Sequence, residues 1–150
     1  MVRSGSRLGP GGAVALVVAV DAIGTLAALV PIPVAQASPV GECQAVAANE
    51  VVVTQCLQRD LAAADQVMGT ALETLQKKAD ELDGVTGRVV ARPAVDQSQV
   101  EWQTFREAQC AIPAALAGGG SGAAQFQLGC LITLSRARAV QLYEFAAGIY

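Results

Sequence analysis

Four cysteines, Cys43, Cys56, Cys110 and Cys130, are the residues best equipped for chemistry in this 150-residue sequence. Cysteine sulfur can bind a metal, exchange electrons in a C-x-x-C pair, or form structural disulfides. The sequence has no C-x-x-C spacing and no histidine, so a redox motif and the histidine-containing zinc sites are excluded. An even number of cysteines in an exported chain therefore predicts two structural disulfides.

Four cysteines allow three pairings. If residues 43–56 formed one straight helix, the Cα atoms of Cys43 and Cys56 would lie about 20 Å apart, whereas a disulfide needs roughly 4.4–6.8 Å. Either the chain doubles back between them, or each bonds to another cysteine. We predict Cys43–Cys56, which would fold a short segment onto the first long helix, and Cys110–Cys130, which would close a Pro/Gly-rich loop. The other two pairings stay open at this stage.

Acid–base catalysis has few candidates. Asp65 and Glu101 could in principle serve as general acid and base, but their spacing does not place both in one pocket. The absence of histidine excludes a Ser-His-Asp triad. The formal net charge of −3 disfavours a non-specific nucleic-acid binder, which needs a basic surface. We therefore predict a protein that is not an enzyme, uses no cofactor or metal, and does not bind nucleic acid.

Residues 1–37 have the order of a signal peptide: two early arginines, an apolar stretch over 13–30, and a small-x-small cleavage site ending at Ala37. A retained membrane anchor is the alternative, but Asp21 at mid-span would cost roughly 2.5–3.5 kcal/mol on insertion scales. Cleavage after Ala37 would remove two of the ten basic and one of the thirteen acidic residues, leaving an exported domain, 38–150, with a net charge of −4.

The exported domain would be secreted, or would stay in the periplasm or cell envelope without a stable membrane span. A lipoprotein needs a small residue immediately before its first cysteine, but Glu42 precedes Cys43 here. Lipid attachment is therefore not expected.

Apolar residues at steps of three and four, from Leu57 to Leu82, predict one long amphipathic helix. We place it at about 60–82, with Gly84 as its stop signal. A connector over residues 85–93 follows, because Gly84 precedes that stretch and Gly87 and Pro93 lie within it.

A second helix is predicted from Asp96, which forms a capping box with Gln99, to about Cys110, ending before Pro113. The glycine-rich segment 118–122 should be a flexible loop.

Ser121 can cap a last helix over about 123–147. Its predicted apolar face comprises Phe126, Cys130, Thr133, Leu134, Ala137, Val140 and Leu142. The fold class is thus all-α, a small disulfide-stapled bundle of three to four helices.

Three motifs span about Cys43 to Leu142. The first contains Leu61 and Asp65 after a cysteine, the second is a Gln-x-x-Trp-x-x-Phe-Arg-x-x-x-Cys segment, and the third follows the last cysteine. Together they resemble the LprI-type lysozyme-inhibitor family of small exported bacterial proteins. Their matching non-cysteine residues, which we interpret as structural, are Leu61, Asp65, Gln99, Trp102, Phe105, Arg106, Thr133 and Arg136.

This resemblance implies a secreted or cell-envelope protein that inhibits lysozyme by protein–protein contact. The alternative is a structural or adaptor module of the cell envelope with no effect on lysozyme.

Within the motifs, Trp102 and Arg106 lie four residues apart, so the indole and guanidinium can stack. We expect Asp65 or Glu101 to pair with Arg106 or Arg136 between helices. The simplest interpretation makes Phe105 a core residue and leaves Arg138 and Glu144 solvated.

Two loops are candidates for partner contact, and the alternative is that they are ordinary connectors. One is the connector with Arg88 and Arg92, and the other is the glycine-rich loop with Ser121. Lysozymes cleave with two carboxylates in a cleft, so an arginine that enters the cleft could pair with one of them.

Overall fold

The computed structural model describes residues 38–149. They form four α-helices and, within this range, no strand: α1 Pro39–Val46, α2 Glu50–Thr86, α3 Ala91–Leu116 and α4 Ser121–Ala147. The predicted all-α bundle is therefore confirmed. The predicted signal peptide lies outside the described residues. No helix in the described range is long and apolar enough to cross a membrane.

Helix α2 is longer than predicted at both ends. It begins at Glu50 because the Asn49 side chain accepts hydrogen bonds from the backbone N–H groups of Val51 and Val52. It continues through Gly84, where the predicted stop is wrong, and ends at Gly87. Gly87 has a φ of 67°, a left-handed conformation that glycine adopts without steric cost.

Helix α3 begins at Ala91, so the predicted capping box at Asp96 is wrong. The cap comes from α2 instead, because the Asp83 carboxylate accepts hydrogen bonds from the first backbone N–H groups of α3. The predicted stop before Pro113 is also wrong. The helix continues to Leu116, and the N–H of Ala117 donates to the Pro113 carbonyl at 3.1 Å.

The glycine-rich loop between α3 and α4 reverses the chain. Gly118, Gly119 and Gly120 have φ values of 68°, 87° and 90°, which only glycine adopts readily. Gly120 takes the N-cap position and Ser121 is the first helical residue. The predicted capping role of Ser121 is therefore off by one position.

Helices α2 and α4 run parallel, with α3 antiparallel to both. Ser135 on α4 contacts Asp65 on α2, and Gln125 near the start of α4 contacts Glu50 at the start of α2. The predicted α2 stripe is buried or half-buried from Leu57 onward, except for exposed Leu82. Two apolar clusters form the core: one of Cys43, Val53, Leu57, Ala64 and Ile132, and one of Met68, Ala71, Ala139 and Leu142.

The predicted inner face of α4 is mostly wrong. Phe126, Thr133, Ala137 and Val140 are exposed, and Leu142 alone of the predicted face is buried. The face that meets the other helices carries polar groups whose partners lie on α2 and α3. Its buried residues are Gln125, Gly129, Ile132, Ser135, Arg138, Ala139 and Leu142.

Both predicted disulfides are present. The chain doubles back between α1 and α2, which brings the Cα atoms of Cys43 and Cys56 to 5.8 Å. Cys110 and Cys130 join the end of α3 to α4 with a Cα–Cα distance of 5.5 Å. Because both bridges lie where α2 and α4 begin and α3 ends, we call this end of the bundle the base.

Candidate functional site

A charged pair lies between the three long helices. Arg106 Nη1 on α3 donates to Asp65 Oδ1 on α2 at 2.7 Å. The same nitrogen donates to the Ser135 hydroxyl on α4 at 2.7 Å, and this hydroxyl donates to Asp65 at 2.7 Å. One arginine thus contacts both neighbouring helices. The predicted interhelical pair is present as Asp65–Arg106.

Trp102 on α3 lies close to two guanidinium groups. The Cζ atoms of Arg106 and Arg138 are 5.2 Å and 5.7 Å from the ring centroid, within cation–π range. The predicted stacking of Trp102 and Arg106 is therefore present. We call Asp65, Gln99, Trp102, Arg106, Ser135 and Arg138 the polar cluster.

Arg138 was predicted to be solvated, and this is wrong because the side chain is 7% exposed. Its guanidinium donates to the side-chain oxygens of Gln99, Gln141 and Ser98. Burial lowers the pKa of Arg138 from its ordinary value. Gln99 is itself buried, with its amide nitrogen 3.8 Å from the Met68 sulfur. These bonds tie α3 to α4, so the cluster positions helices.

Other motif residues occupy different positions. Phe105 is 53% exposed, so its predicted core role is wrong: the α3 face turned inward carries Gln99, Arg106 and Cys110. Leu61 is half-buried and packs against the core cluster that contains Cys43 and Leu57. Thr133 is exposed, and its hydroxyl donates to the Gly129 carbonyl of its own helix.

Arg136 pairs with Glu42 and Asp60, at nitrogen–oxygen distances of 3.6 and 3.7 Å. Glu101 is exposed and accepts a hydrogen bond from Gln97 on its own helix. Asp65 instead contacts Arg106 and Ser135. The two carboxylates considered for acid–base catalysis therefore have separate partners.

One group of side chains has the composition of a metal site. The sulfurs of Cys43 and Cys56 and a carboxylate oxygen of Asp60 lie within 4.8 Å of one another. The two sulfurs are joined in a disulfide. They therefore offer no thiolate, which is the form that binds metal.

At the end opposite the base, α2 extends past α4. Because Ser135 lies beside Asp65 in parallel helices, the last residue of α4, Ala147, is level with about Lys77 of α2. At 1.5 Å per residue, the rest of α2 continues for about 13 Å. It turns at Gly87 into α3. We call residues 82–91 the hairpin tip.

The hairpin tip is held by polar contacts. Asp83 on α2 accepts hydrogen bonds from the backbone N–H groups of Val90, Ala91 and Arg92 at 2.9–3.1 Å. These bonds, led by the one from Arg92, hold the pKa of Asp83 below its ordinary value. The carboxylate therefore stays ionised and caps α3.

Arg92 supports the same junction from α3. Its guanidinium bonds to Asp96 at 3.0 Å and Asp80 at 2.7 Å. The Asp96 bond and the Asp80 charge raise the pKa of Arg92. Gln76 donates to Asp96 at 2.7 Å, which lowers the pKa of that carboxyl together with the Arg92 bond. Arg92 is thus occupied within the chain.

Arg88 differs from Arg92. Across residues 38–149, no hydrogen bond or ion pair engages its side chain. Ser121, the other predicted contact, begins α4 at the base, so the two candidate loops lie at opposite ends of the bundle.

A family model described as Lysozyme inhibitor LprI matches residues 43–142. The chain belongs to this family. The match covers both disulfides, the polar cluster and the hairpin tip. No curated protein and no solved structure matches the chain.

In this LprI-family chain the second motif is centred on the polar cluster, because Gln99, Trp102 and Arg106 all belong to it. Sequence reasoning missed Ser135 and Arg138, their partners on α4. One signal was available: Ser135 and Arg138 lie three residues apart, and Leu142 lies a further turn along, so the three share one helical face. Asp83, which caps α3 from another helix, has no sequence signal because the N–H groups that donate to it are brought near only by the hairpin geometry.

Proposed function

We propose that this protein is an exported inhibitor of lysozyme that acts by protein–protein contact. The observation that carries the proposal is the family match over residues 43–142. The two disulfides support an oxidising compartment outside the cytoplasm. The polar cluster fits a binding protein better than an enzyme, because Asp65 and Arg106 engage each other and Arg138 is engaged by neutral side-chain oxygens within the domain.

The net charge of the exported domain also supports a lysozyme as the partner. The predicted exported domain carries a net charge of −4, and lysozymes are usually basic proteins. Opposite net charges accelerate encounter, and this effect weakens as salt is added. Inhibition then requires that the bound protein block the cleft in which two carboxylates cleave the glycosidic bond.

A lysis assay tests the proposal. Protein purified from the exported fraction of cells, with its disulfides intact, is mixed with lysozymes of several classes, and clearing of a cell-wall suspension is followed. We expect slower clearing in proportion to the protein added. The same preparation after reduction and alkylation is the matched control and should lose inhibition.

Unchanged clearing with every lysozyme would overturn the proposal. Capture of a different envelope protein by the same preparation would then favour the adaptor alternative. If inhibition survives alkylation of all four cysteines, then inhibition does not require the disulfide-linked fold.

A further inference from the structure

The hairpin tip exposes apolar side chains at the extreme end of the bundle. Val85 is 89% and Val89 80% exposed, and Leu82 and Val90 are also more than half exposed. Leu82 and Val85 lie at the end of α2, and Val89 and Val90 lie between α2 and α3. The four side chains are therefore at the same end of the bundle. Apolar residues gathered at one site, rather than scattered, indicate a contact surface.

Arg88 lies in the turn that joins α2 to α3, between these residues in the chain. It lines a depression of about 250 Å³ together with Leu82, Asp83, Thr86, Val90 and Ala91. The nearby carboxylates are already engaged: Asp83 by backbone N–H groups of α3, and Asp80 by Arg92. The tip therefore presents a cation that pairs with no group in residues 38–149, next to exposed apolar side chains, although the domain as a whole is acidic.

The tip is also preorganised. Asp83 binds three successive N–H groups of α3, and Arg92 joins Asp80 to Asp96 across the two helices. A surface that is already ordered loses less conformational entropy on binding. Perpendicular to the plane of its two helices, the tip has the thickness of one helix, about 10–12 Å. A groove on another protein can accommodate this thickness.

We propose that the hairpin tip is the inhibitory element, inserting into the substrate cleft of a lysozyme so that Arg88 pairs with a cleavage carboxylate. Charge complementarity favours this partner, because a cation next to apolar side chains is complementary to a cleft that contains a carboxylate. The valines exclude water from the ion pair, which strengthens it. This inference rests on the proposed function and names the surface that performs it.

Charge reversal and apolar disruption test the two parts of the tip separately. Arg88→Glu should weaken inhibition of a basic lysozyme about tenfold or more, since it places like charges together. Its control, Arg59→Glu, makes the same charge change at an exposed position of α2 near the base. Val89→Asp should also weaken inhibition, whereas Val46→Asp, at an equally exposed valine of α1, should not. Circular dichroism checks that all four variants keep their helices.

Competition locates the contact on lysozyme. A short N-acetylglucosamine oligomer that fills the cleft should reduce binding of the wild-type protein, measured by surface plasmon resonance. Undiminished binding, or Arg88→Glu and Val89→Asp variants as inhibitory as the controls, would overturn the tip proposal while inhibition by the wild-type protein still stood. If the wild-type protein inhibits no lysozyme, both proposals fall.

Discussion

Arg106 on α3 and Asp65 on α2 approach to 2.7 Å, and Ser135 on α4 completes a triangle of hydrogen bonds with them. The arginine side chain is 14% exposed and the aspartate 38%. Partial burial makes this pair more costly to break than a surface ion pair, because removal of one partner leaves the other desolvated.

Replacing Arg106 with alanine should lower the free energy of unfolding by about 1–3 kcal/mol, since Asp65 loses its cation and the Trp102 ring loses a stacked partner. Urea unfolding followed by circular dichroism measures the change. Arg59→Ala, at an exposed site of α2, is the matched control and should be close to neutral. An Arg106→Ala transition that coincides with the wild type would contradict the assigned role.

The coupling between the two charges can be isolated. In a double-mutant cycle with Asp65→Asn and Arg106→Met, the two costs should not add, because each single change already removes the same bond. Additive costs would show that the helices are positioned by other contacts.

Loss of either disulfide should destabilise the domain by about 3 kcal/mol in the chain-entropy model, because the closed loops have similar lengths. Sequence separations of 13 and 20 residues set these lengths. Paired serine substitutions at Cys43 and Cys56, or at Cys110 and Cys130, test this by denaturant unfolding. Peptide mapping of the non-reduced protein should recover these two linkages, and a crossed linkage would contradict the fold.

The Asp83 cap should make the hairpin tip sensitive to acid. Because the pKa of Asp83 in the folded protein lies below its ordinary value of 3.8, its stabilising effect is present above that value and is lost as pH falls through the lowered one. Asp83→Asn should therefore speed amide exchange at Ala91 and Arg92 near neutral pH. The difference from wild type should shrink once Asp83 itself is protonated.

Carbon-detected NMR titration gives the pKa of the Asp83 carboxyl directly. Glu81→Gln is the control, since Glu81 is exposed and pairs only with nearby Lys78 among the described residues. An ordinary or raised pKa for Asp83, or equal exchange in both variants, would contradict the capping role.

Two glycines in helices should respond oppositely to alanine. Gly69 lies within α2 with nothing within 4 Å of an added Cβ, so Gly69→Ala should stabilise by about 0.5–1 kcal/mol through helix propensity. At Gly129 on α4 the added Cβ would lie 2.8 Å from the Val40 side chain of α1. Gly129→Ala should therefore lower the melting temperature. Equal shifts in both variants would show that α1 does not pack closely on α4.

The elements of the fold were predictable where one signal dominated. The α2 stripe was correct because a helix packed on two neighbours needs apolar residues at steps of three and four. The disulfides followed from where helices begin and end. The predicted boundary at Gly84 was wrong because the left-handed glycine that ends α2 is Gly87. The boundary at Pro113 was wrong because α3 accommodates this proline and continues to Leu116. The boundary at Asp96 was wrong because the cap of α3 comes from another helix.

The polar cluster was predictable only in part. The sequence predicted that Asp65 or Glu101 would pair with Arg106 or Arg136, and the structure selects Asp65–Arg106 from these alternatives. Arg138 was placed in solvent because an isolated arginine usually lies there. Its burial depends on Gln99, Ser98 and Gln141, which supply oxygens from two helices. The rule that apolar residues face inward misassigned Phe105 and most of the α4 face, because the inward faces of α3 and α4 carry polar side chains as well as apolar ones.

The placement of both disulfides at the base leaves the opposite end without covalent linkage. The hairpin tip depends on carboxylates that hold Arg92 and the start of α3, and exposed ion pairs weaken as ionic strength rises. A thiol reductant would therefore destabilise the base, whereas concentrated salt or acid would destabilise the hairpin tip. Reducing and acidic conditions would thus act on this protein at separate places.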